Sequence, residues 1–532
     1  MENKYEKFLD LVIYQVYPRS FNDSNNDGIG DIPGLIEKLD YLCDLGINAI
    51  WLCPCYKSPN HDNGYDIADY RDIMDEFGTL EDLKRLIDEM NKRDMKLIMD
   101  LVPNHTSNEH KWFKESRKSK DNPYSDYYYW FDEPVNDWRA CFGGSVWEYD
   151  ESRKQYYLHS YTVEQPDLNW ENPKVVKEIC DVVDFWIDLG VSGFRCDVID
   201  QISKDFKGGN NCFGPHLHEY INALFGREKT ENIFTVGECW ANDIDEIRRH
   251  IAPERGELST LFQFDHMKCG RDTKWIKKAD SLKSYRDILV KWQTLMGENN
   301  LLYSLFTDNH DNSFFISRAG NDGQLRYESA TCIAAMCFLL KGVPFIYQGQ
   351  EFGTAAPHYD DISYFDDIES TNYYEEALAD GLTKEEALER VNFGSRDNAR
   401  RPMMWDNSPN GGFSESEPWI AVHSRVNELN LENDLKSEKS VFEFYKSMLK
   451  LRREHDAFRR GDVNIISKPE DDYFAYERTD GDEKFTVVCN FEKAGVINID
   501  GMNGEVVLSN CGRTEAADSK FMPYETAVYK NK

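Results

Sequence analysis

The sequence has no run of about 18 apolar residues, the length that crosses a bilayer. Its first residues, Met1-Glu2-Asn3-Lys4-Tyr5-Glu6-Lys7, hold no apolar core ahead of a small-residue cleavage site. A cytoplasmic location is therefore expected. Positive charge is scarce: 62 Lys and Arg stand against 96 Asp and Glu, a formal charge of -34. Such a surface repels phosphate backbones and anionic lipid, so nucleic acid and membrane surfaces are excluded as partners. A cysteine framework is also missing. The thirteen cysteines are an odd number scattered through apolar runs, as at Cys180, Cys196, Cys332 and Cys337, where they act as small buried hydrophobes. Cys53-Pro54-Cys55 is the one close pair and has no companions to complete a metal site, so free thiols in a reducing compartment are expected. No internal repeat or low-complexity tract breaks the chain.

What is present is a series of short apolar runs, several ending in a carboxylate. Asp197 follows Val191-Ser192-Gly193-Phe194-Arg195-Cys196, Glu238 follows Phe234-Thr235-Val236-Gly237, and Asp311 closes Phe306-Thr307-Asp308-Asn309-His310. Runs of this length bounded by turn signals read as buried strands, and an acid at each end gathers carboxylates on one face. Further runs are Leu11–Tyr17, Ala49–Leu52, Lys96–Val102, Leu261–Phe264 and Val343–Tyr347, with helical stretches between them. Eight strands alternating with helices predict an α/β fold, a (β/α)8 barrel, which needs roughly 250 residues of the 532.

Two stretches interrupt that rhythm. Residues 105–170 are aromatic, polar and too long for a loop, and predict a small subdomain inserted after the third strand. Residues 353–400 contain helical patterns on an excursion after the eighth strand. From about Asp456 the runs become short and alternating around the turn signal Asp480-Gly481, which predicts a C-terminal antiparallel β-sandwich domain. The expected organisation is barrel over 1–104 and 171–455, inserted subdomain over 105–170, and β domain over 456–532.

With these residues in view the chain resembles the α-amylase superfamily of retaining glycoside hydrolases, glycoside hydrolase family 13. The likeness rests on Asp100-Leu101-Val102-Pro103-Asn104-His105, Gly193-Phe194-Arg195-Cys196-Asp197, Val236-Gly237-Glu238 and Asp308-Asn309-His310-Asp311, in the family's order. A fifth segment, Gln165-Pro166-Asp167-Leu168-Asn169, is similar to the oligo-1,6-glucosidase and dextran-glucosidase branch. The resemblance implies Asp197 as nucleophile, Glu238 as acid/base and Asp311 as a third carboxylate serving the oxocarbenium-like transition state. Retaining chemistry asks that Asp197 be ionised, helped by Arg195, while Glu238 carries a proton. The same resemblance makes His105 and His310 donors to the sugar, adds Gln165 to the binding residues, and stacks Tyr65 on a sugar face. It pairs Asp62 with Arg400 behind the terminal glucose, which implies exo action. Val198, next to the nucleophile, accompanies α-1,6 preference, and Trp240 of Glu238-Cys239-Trp240 lines the leaving-group side.

The segment Asp23-Ser24-Asn25-Asn26-Asp27-Gly28-Ile29-Gly30-Asp31 has oxygen ligands at alternate positions and a glycine at the turn, as calcium loops do, but Gly34 stands where an EF-hand has Glu. In the family, Asp23, Asn25, Asp27, the Ile29 carbonyl and Asp31 hold a structural Ca²⁺. The expectation is thus a monomeric α-1,6-glucosidase acting on small oligosaccharides. Maltose cleavage and trehalose 6-phosphate hydrolysis are the alternatives, with Lys274 a candidate for phosphate. Sucrose isomerisation ranks lower, because no Arg-Leu-Asp-Arg-Asp segment is present. A non-catalytic relative is disfavoured because Asp197, Glu238 and Asp311 are all kept.

Overall fold

The computed structural model describes residues 4–514 and 518–531. It divides into two compact units: a central one, Asp31–Ile36 with Ala49–Gln263, and a terminal one, Met1–Gly30, Glu37–Asn48 and Phe264–Lys532. Eight strands carry the α/β pattern: β1 (Ile13–Val16), β2 (Ala49–Leu52), β3 (Lys96–Leu101), β4 (Gly193–Cys196), β5 (Phe234–Gly237), β6 (Thr260–Leu261), β7 (Ser304–Leu305) and β8 (Val343–Tyr347). In the central unit β2, β3, β4, β5 and β6 lie side by side, every pair parallel. In the terminal unit β1, β8 and β7 do the same. Helices alternate with them: α1 (Leu39–Leu45), α2 (Leu80–Asn91), α3 (Pro173–Leu189), α4 (Leu217–Phe225), α5 (Ile244–Ile251), α6 (Leu282–Glu298), α7 (Arg326–Phe338) and α8 (Val441–Glu454). This is the (β/α)8 order that the sequence predicts.

The strands are near-continuous apolar runs because both faces are covered, and β1, β2, β4, β5 and β8 are buried at every position. Local signals set the helix ends. Thr79 and Asp82 close a capping box on α2, and Asn172 caps α3 ahead of Pro173, whose missing N–H costs nothing there. Gly190 ends α3 in the left-handed conformation. Two strands differ from expectation. The runs Leu261–Phe264 and Phe306–His310 were expected to be strands, yet β6 ends at Leu261 and β7 at Leu305. Beyond β7, Asp308 has already turned its carboxylate to the Phe315 amide (2.6 Å) and the Thr307 hydroxyl (2.6 Å), which ties the chain into a turn.

Residues 105–170 contain a three-stranded antiparallel sheet, Trp130–Phe131, Gln155–Leu158 and Trp147–Asp150, over a core of Tyr129, Val146, Trp147 and Leu158. Between β8 and α8 two antiparallel helical segments, Ile368–Ala379 and Lys384–Gly394, share a core of Tyr374, Ala377, Ala387 and Val391. At the C-terminal end the strands β9 (Asp462–Ile465), β10 (Tyr473–Asp480), β11 (Glu483–Asn490), β12 (Glu505–Ser509) and β13 (Thr526–Asn531) form one antiparallel sheet in the order β9-β10-β11-β13-β12. A two-stranded ribbon, Gly495–Val496 with Lys520–Phe521, completes the expected C-terminal antiparallel β domain. Among the described residues no helix is long and apolar enough to cross a membrane.

Candidate active site

In the central unit the C-terminal ends of β3, β4 and β5 converge on one guanidinium. Arg195, on β4, is 2 % exposed; its Nη1 donates to Asp197 Oδ1 (2.6 Å) and Asp100 Oδ1 (2.7 Å), and its Nη2 to Glu238 Oε2 (2.6 Å). Trp51 on β2 donates its indole N–H to Asp100 Oδ2 (2.7 Å). The parallel register makes this possible, since Asp100 pairs with Arg195 across β3 and β4, and Cys196 with Gly237 across β4 and β5. Asp197 and Glu238 each follow the last residue of their strand.

One cation facing three carboxylates leaves excess negative charge in a buried place. Burial, with Glu238 and Asp100 beside it, raises the Asp197 pKa well above the usual range despite Arg195. Burial likewise lifts Asp100 to about 6. Arg195 was expected to help keep Asp197 ionised; its single charge is divided among three carboxylates, so burial and the neighbouring anions outweigh it.

Val198 sits at φ 36°, a left-handed conformation rare for a β-branched residue and a strained feature directly after Asp197. The turn aims the Val198 amide at Glu238 Oε2 (3.3 Å) and the Ile199 amide at the Glu238 carbonyl (3.0 Å). Asp200 continues the clasp by accepting the Trp240 amide (3.0 Å). Trp240 itself is 58 % exposed, so much of its surface faces solvent.

Asp62, Tyr65, His105 and Gln165 form a second group in the same unit. The Gln165 side-chain nitrogen donates to Asp62 Oδ2 (3.1 Å) and His105 Nε2 (3.1 Å). Burial lowers the His105 pKa to about 4, so its ring is neutral. The Tyr65 amide donates to the Asp62 carbonyl (3.0 Å), and its hydroxyl lies 3.5 Å from Arg195 Nη1.

The terminal unit carries Asp311, His310 and Arg400. Arg400 donates from Nη2 to Asp311 Oδ1 (2.8 Å) and from Nε to the His310 carbonyl (2.9 Å). Gln15, on β1, donates to His310 Nδ1 (2.8 Å), which puts the ring proton on Nε2, 3.1 Å from Asp311 Oδ2. Arg396 lies 3.8 Å from Asp311 and donates to Asp367 from Nε (2.9 Å) and Nη2 (2.5 Å). The loop after β1 is built from Asx turns. Asp23 accepts the Asn25, Asn26 and Gly28 amides, Asn25 the Asp27 amide, and Asp27 the Ile29 amide. Gly28 (φ 90°) is required, because a Cβ there would lie 2.2 Å from the Glu417 carbonyl oxygen. Asp31 begins the central unit and accepts the Gly34 amide (2.6 Å).

The model of the α-amylase catalytic domain matches residues 15–461. The chain belongs to the α-amylase family. It is a glycoside hydrolase of family 13, with that family's (β/α)8 domain and C-terminal antiparallel sheet. The chain is 44% identical to an oligo-1,6-glucosidase of Parageobacillus thermoglucosidasius over 98% of both chains. It is also 44% identical to a glucan 1,6-alpha-glucosidase of Streptococcus pneumoniae, over 96% of this chain and 97% of the relative. Among solved structures, a trehalose-6-phosphate hydrolase of Bacillus licheniformis superposes with a TM-score of 0.93 at 39% identity, covering 98% of this chain and 99% of that one.

In this α-amylase-family chain, sequence reasoning named the motif residues and missed those that hold them. Asp100 lay inside a quoted motif, where its place at the end of β3 was the available signal. Asp200 and Lys204, the latter in a buried pair with Asp167 (2.6 Å), gave no signal, because their partners are distant in sequence.

Proposed function

We propose that this glycoside hydrolase is an exo-acting, retaining α-glucosidase that removes glucose from the non-reducing end of isomaltose, isomalto-oligosaccharides and short dextrans by cutting α-1,6 bonds. The observation that carries the reading is the pair of carboxylates, Asp197 and Glu238, held side by side on the two terminal nitrogens of one buried guanidinium. In this mechanism Asp197 attacks the anomeric carbon while Glu238 gives its proton to the departing glycosidic oxygen. The C1–O bond breaks and a glucosyl ester on Asp197 forms. Water then passes a proton to Glu238 and attacks C1, which releases Asp197, and two inversions retain the α configuration. Asp311 stabilises the cationic transition state, His105, His310 and Gln165 bond sugar hydroxyls, Tyr65 stacks on the ring, and Asp62 and Arg400 recognise the terminal glucose.

For linkage, support comes from the names of the two 44%-identical relatives and from Val198, whose strained turn fixes its side chain next to the nucleophile. Trp240, open to solvent, is available to the leaving sugar. The similar trehalose-6-phosphate hydrolase keeps phosphate recognition as the alternative, but the cations that would serve it are committed. Lys274 is ion-paired with Glu369, and Arg396 with Asp367. We place the enzyme in the cytoplasm as a monomer; the compartment is supported by thirteen cysteines scattered through apolar runs in the manner of small buried hydrophobes.

The same proposal gives the Asp23–Asp31 loop a structural Ca²⁺. The donors fit a hard cation: Asp23, Asn25, Asp27, the Ile29 carbonyl and Asp31 offer only oxygen, and the Asx turns already fold the loop that such an ion needs. Chelation by EDTA is expected to lower the melting temperature, with recovery on adding Ca²⁺; an unchanged melting curve and no bound calcium would remove the ion from the account.

The test of function is initial rates on isomaltose, maltose and trehalose 6-phosphate with products identified. Isomaltose well ahead supports the proposal; either of the others ahead keeps the chemistry and overturns the linkage.

A further inference from the structure

Behind the acid/base segment, α4 and α5 bring a second set of ligand-type side chains together. His218 stands near the start of α4, and Glu246 and His250 are one turn apart on α5. His218 lies between two carboxylates, with Nδ1 2.8 Å from Glu257 Oε2 and Nε2 3.4 Å from Glu246 Oε1. Glu257 is buried and gripped by Arg255, whose Nε and Nη2 donate to its other oxygen (2.8 and 2.5 Å). A carboxylate fixed in this way takes the Nδ1–H, which is how metal-binding histidines are usually oriented from behind. Nε2 then points its lone pair toward the Glu246 carboxylate across a 3.4 Å gap that an ion can enter.

His250 argues for the metal. Its Nδ1 is 3.8 Å from the same Glu246 Oε1, and its ring centroid is 4.7 Å from that of His218. A His218–Glu246 ion pair alone would need no second imidazole beside it. Two nitrogens and one carboxylate oxygen lie within 4.8 Å of one another, so a modest closure of the side chains brings all three to bonds of about 2.0 to 2.2 Å around a single ion. Burial lowers the His250 pKa to about 3, so the ring stays neutral, as a ligand must. Among the described residues this is the one such group of three.

We propose that His218, Glu246 and His250 bind one divalent transition-metal ion of zinc-like preference, with solvent completing a four-coordinate shell. The donor set of two imidazoles and a carboxylate selects such an ion over Ca²⁺. His218 and Glu246 side chains are 23% and 22% exposed, which gives the ion a way in. His250 Nδ1 now donates to the Glu246 carbonyl (2.9 Å). Metal binding turns the ring off that carbonyl, frees Nδ1 as the ligand and leaves the ring proton on Nε2, the nitrogen that now lies 3.8 Å from Cys239 Sγ. Cys239 directly follows Glu238, so occupancy acts on the segment that carries the acid, and the ion clamps α4 to α5.

The test is equilibrium dialysis of the full chain against Zn²⁺ in Ca²⁺-containing buffer, with Co²⁺ as a spectroscopic substitute. The wild type is expected to hold one Zn²⁺ per chain and give the intense visible bands of four-coordinate Co²⁺. His218→Gln and Glu246→Gln are expected to weaken binding at least about tenfold and abolish those bands. His216→Gln, an exposed neighbour paired with Glu219, is expected to change neither. Circular dichroism confirms that each variant is folded. Equal Zn²⁺ affinity in the wild type and in His218→Gln, or no Zn²⁺ on the wild type, overturns the site.

Discussion

Two buried charge clusters, one in each unit, use the same side chains to opposite ends. Around Arg195, three carboxylates share one cation, and burial with mutual repulsion pushes Asp197 upward. Around Asp367 the balance is reversed: burial again works against the charge, but Arg396, Arg400 and Lys274 outweigh it and hold this carboxyl well below the usual range. The first cluster is short of positive charge, and burial disfavours its ionised carboxylates at a cost in stability. The second is satisfied and fixes geometry, with Arg396 on Asp367 and Arg400 on Asp311. Functional sites are where such frustration is expected to persist.

Substitutions that remove one carboxylate from each cluster break the comparison most sharply. Asp197→Asn is expected to lower kcat on isomaltose on the order of 10⁴-fold or more. Because a raised pKa means the ionised form is disfavoured in the fold, the same variant is expected to melt at a higher temperature near neutral pH; thermal scans beside the kinetics check both. Glu238→Gln is expected to cost roughly 10²- to 10⁴-fold, and far less on an aryl glucoside whose leaving group needs no proton. Steady-state rates on the two substrates separate these.

In the satisfied cluster Asp367→Asn is expected to destabilise the protein by about 3 kcal/mol at pH 7, since it removes the carboxylate that Arg396 grips with two nitrogens and leaves that buried cation only its longer pairings with Glu369 (3.5 Å) and Asp311 (3.8 Å). Asp367 has a depressed pKa in the fold, so its contribution is present above the unfolded value of 3.8 and lost as pH falls through the folded value. Urea unfolding at pH 7 and below pH 4 should therefore show the gap between wild type and variant shrink toward acid. The smallest effect belongs to specificity: Val198→Ala is expected to shift the isomaltose-to-maltose ratio of kcat/KM about tenfold toward maltose, read from paired progress curves.

The strands and the acids at their ends were legible because burial on both faces writes itself as unbroken apolar runs, and a carboxylate after such a run stands out. Val191–Cys196 ahead of Asp197 and Phe234–Gly237 ahead of Glu238 are of this kind. The short strands were misplaced, since two-residue pairings such as Ser304–Leu305 leave no periodicity to read. The support of the site was invisible for a different reason. Arg195 meets Asp100 across 95 residues, and Lys274 meets Glu369 across another 95, and no local pattern encodes partners chosen by the fold. The left-handed Val198 was equally hidden, because nothing in a β-branched residue announces a conformation it ordinarily avoids.

The most direct test of retaining glucosyl transfer by the frustrated cluster is proton NMR of the first glucose released from isomaltose, recorded before the anomers equilibrate. The α anomer appearing first is the predicted result, the signature of two displacements at C1 through Asp197. The β anomer appearing first would contradict it, because a single displacement by water needs no covalent partner at Asp197.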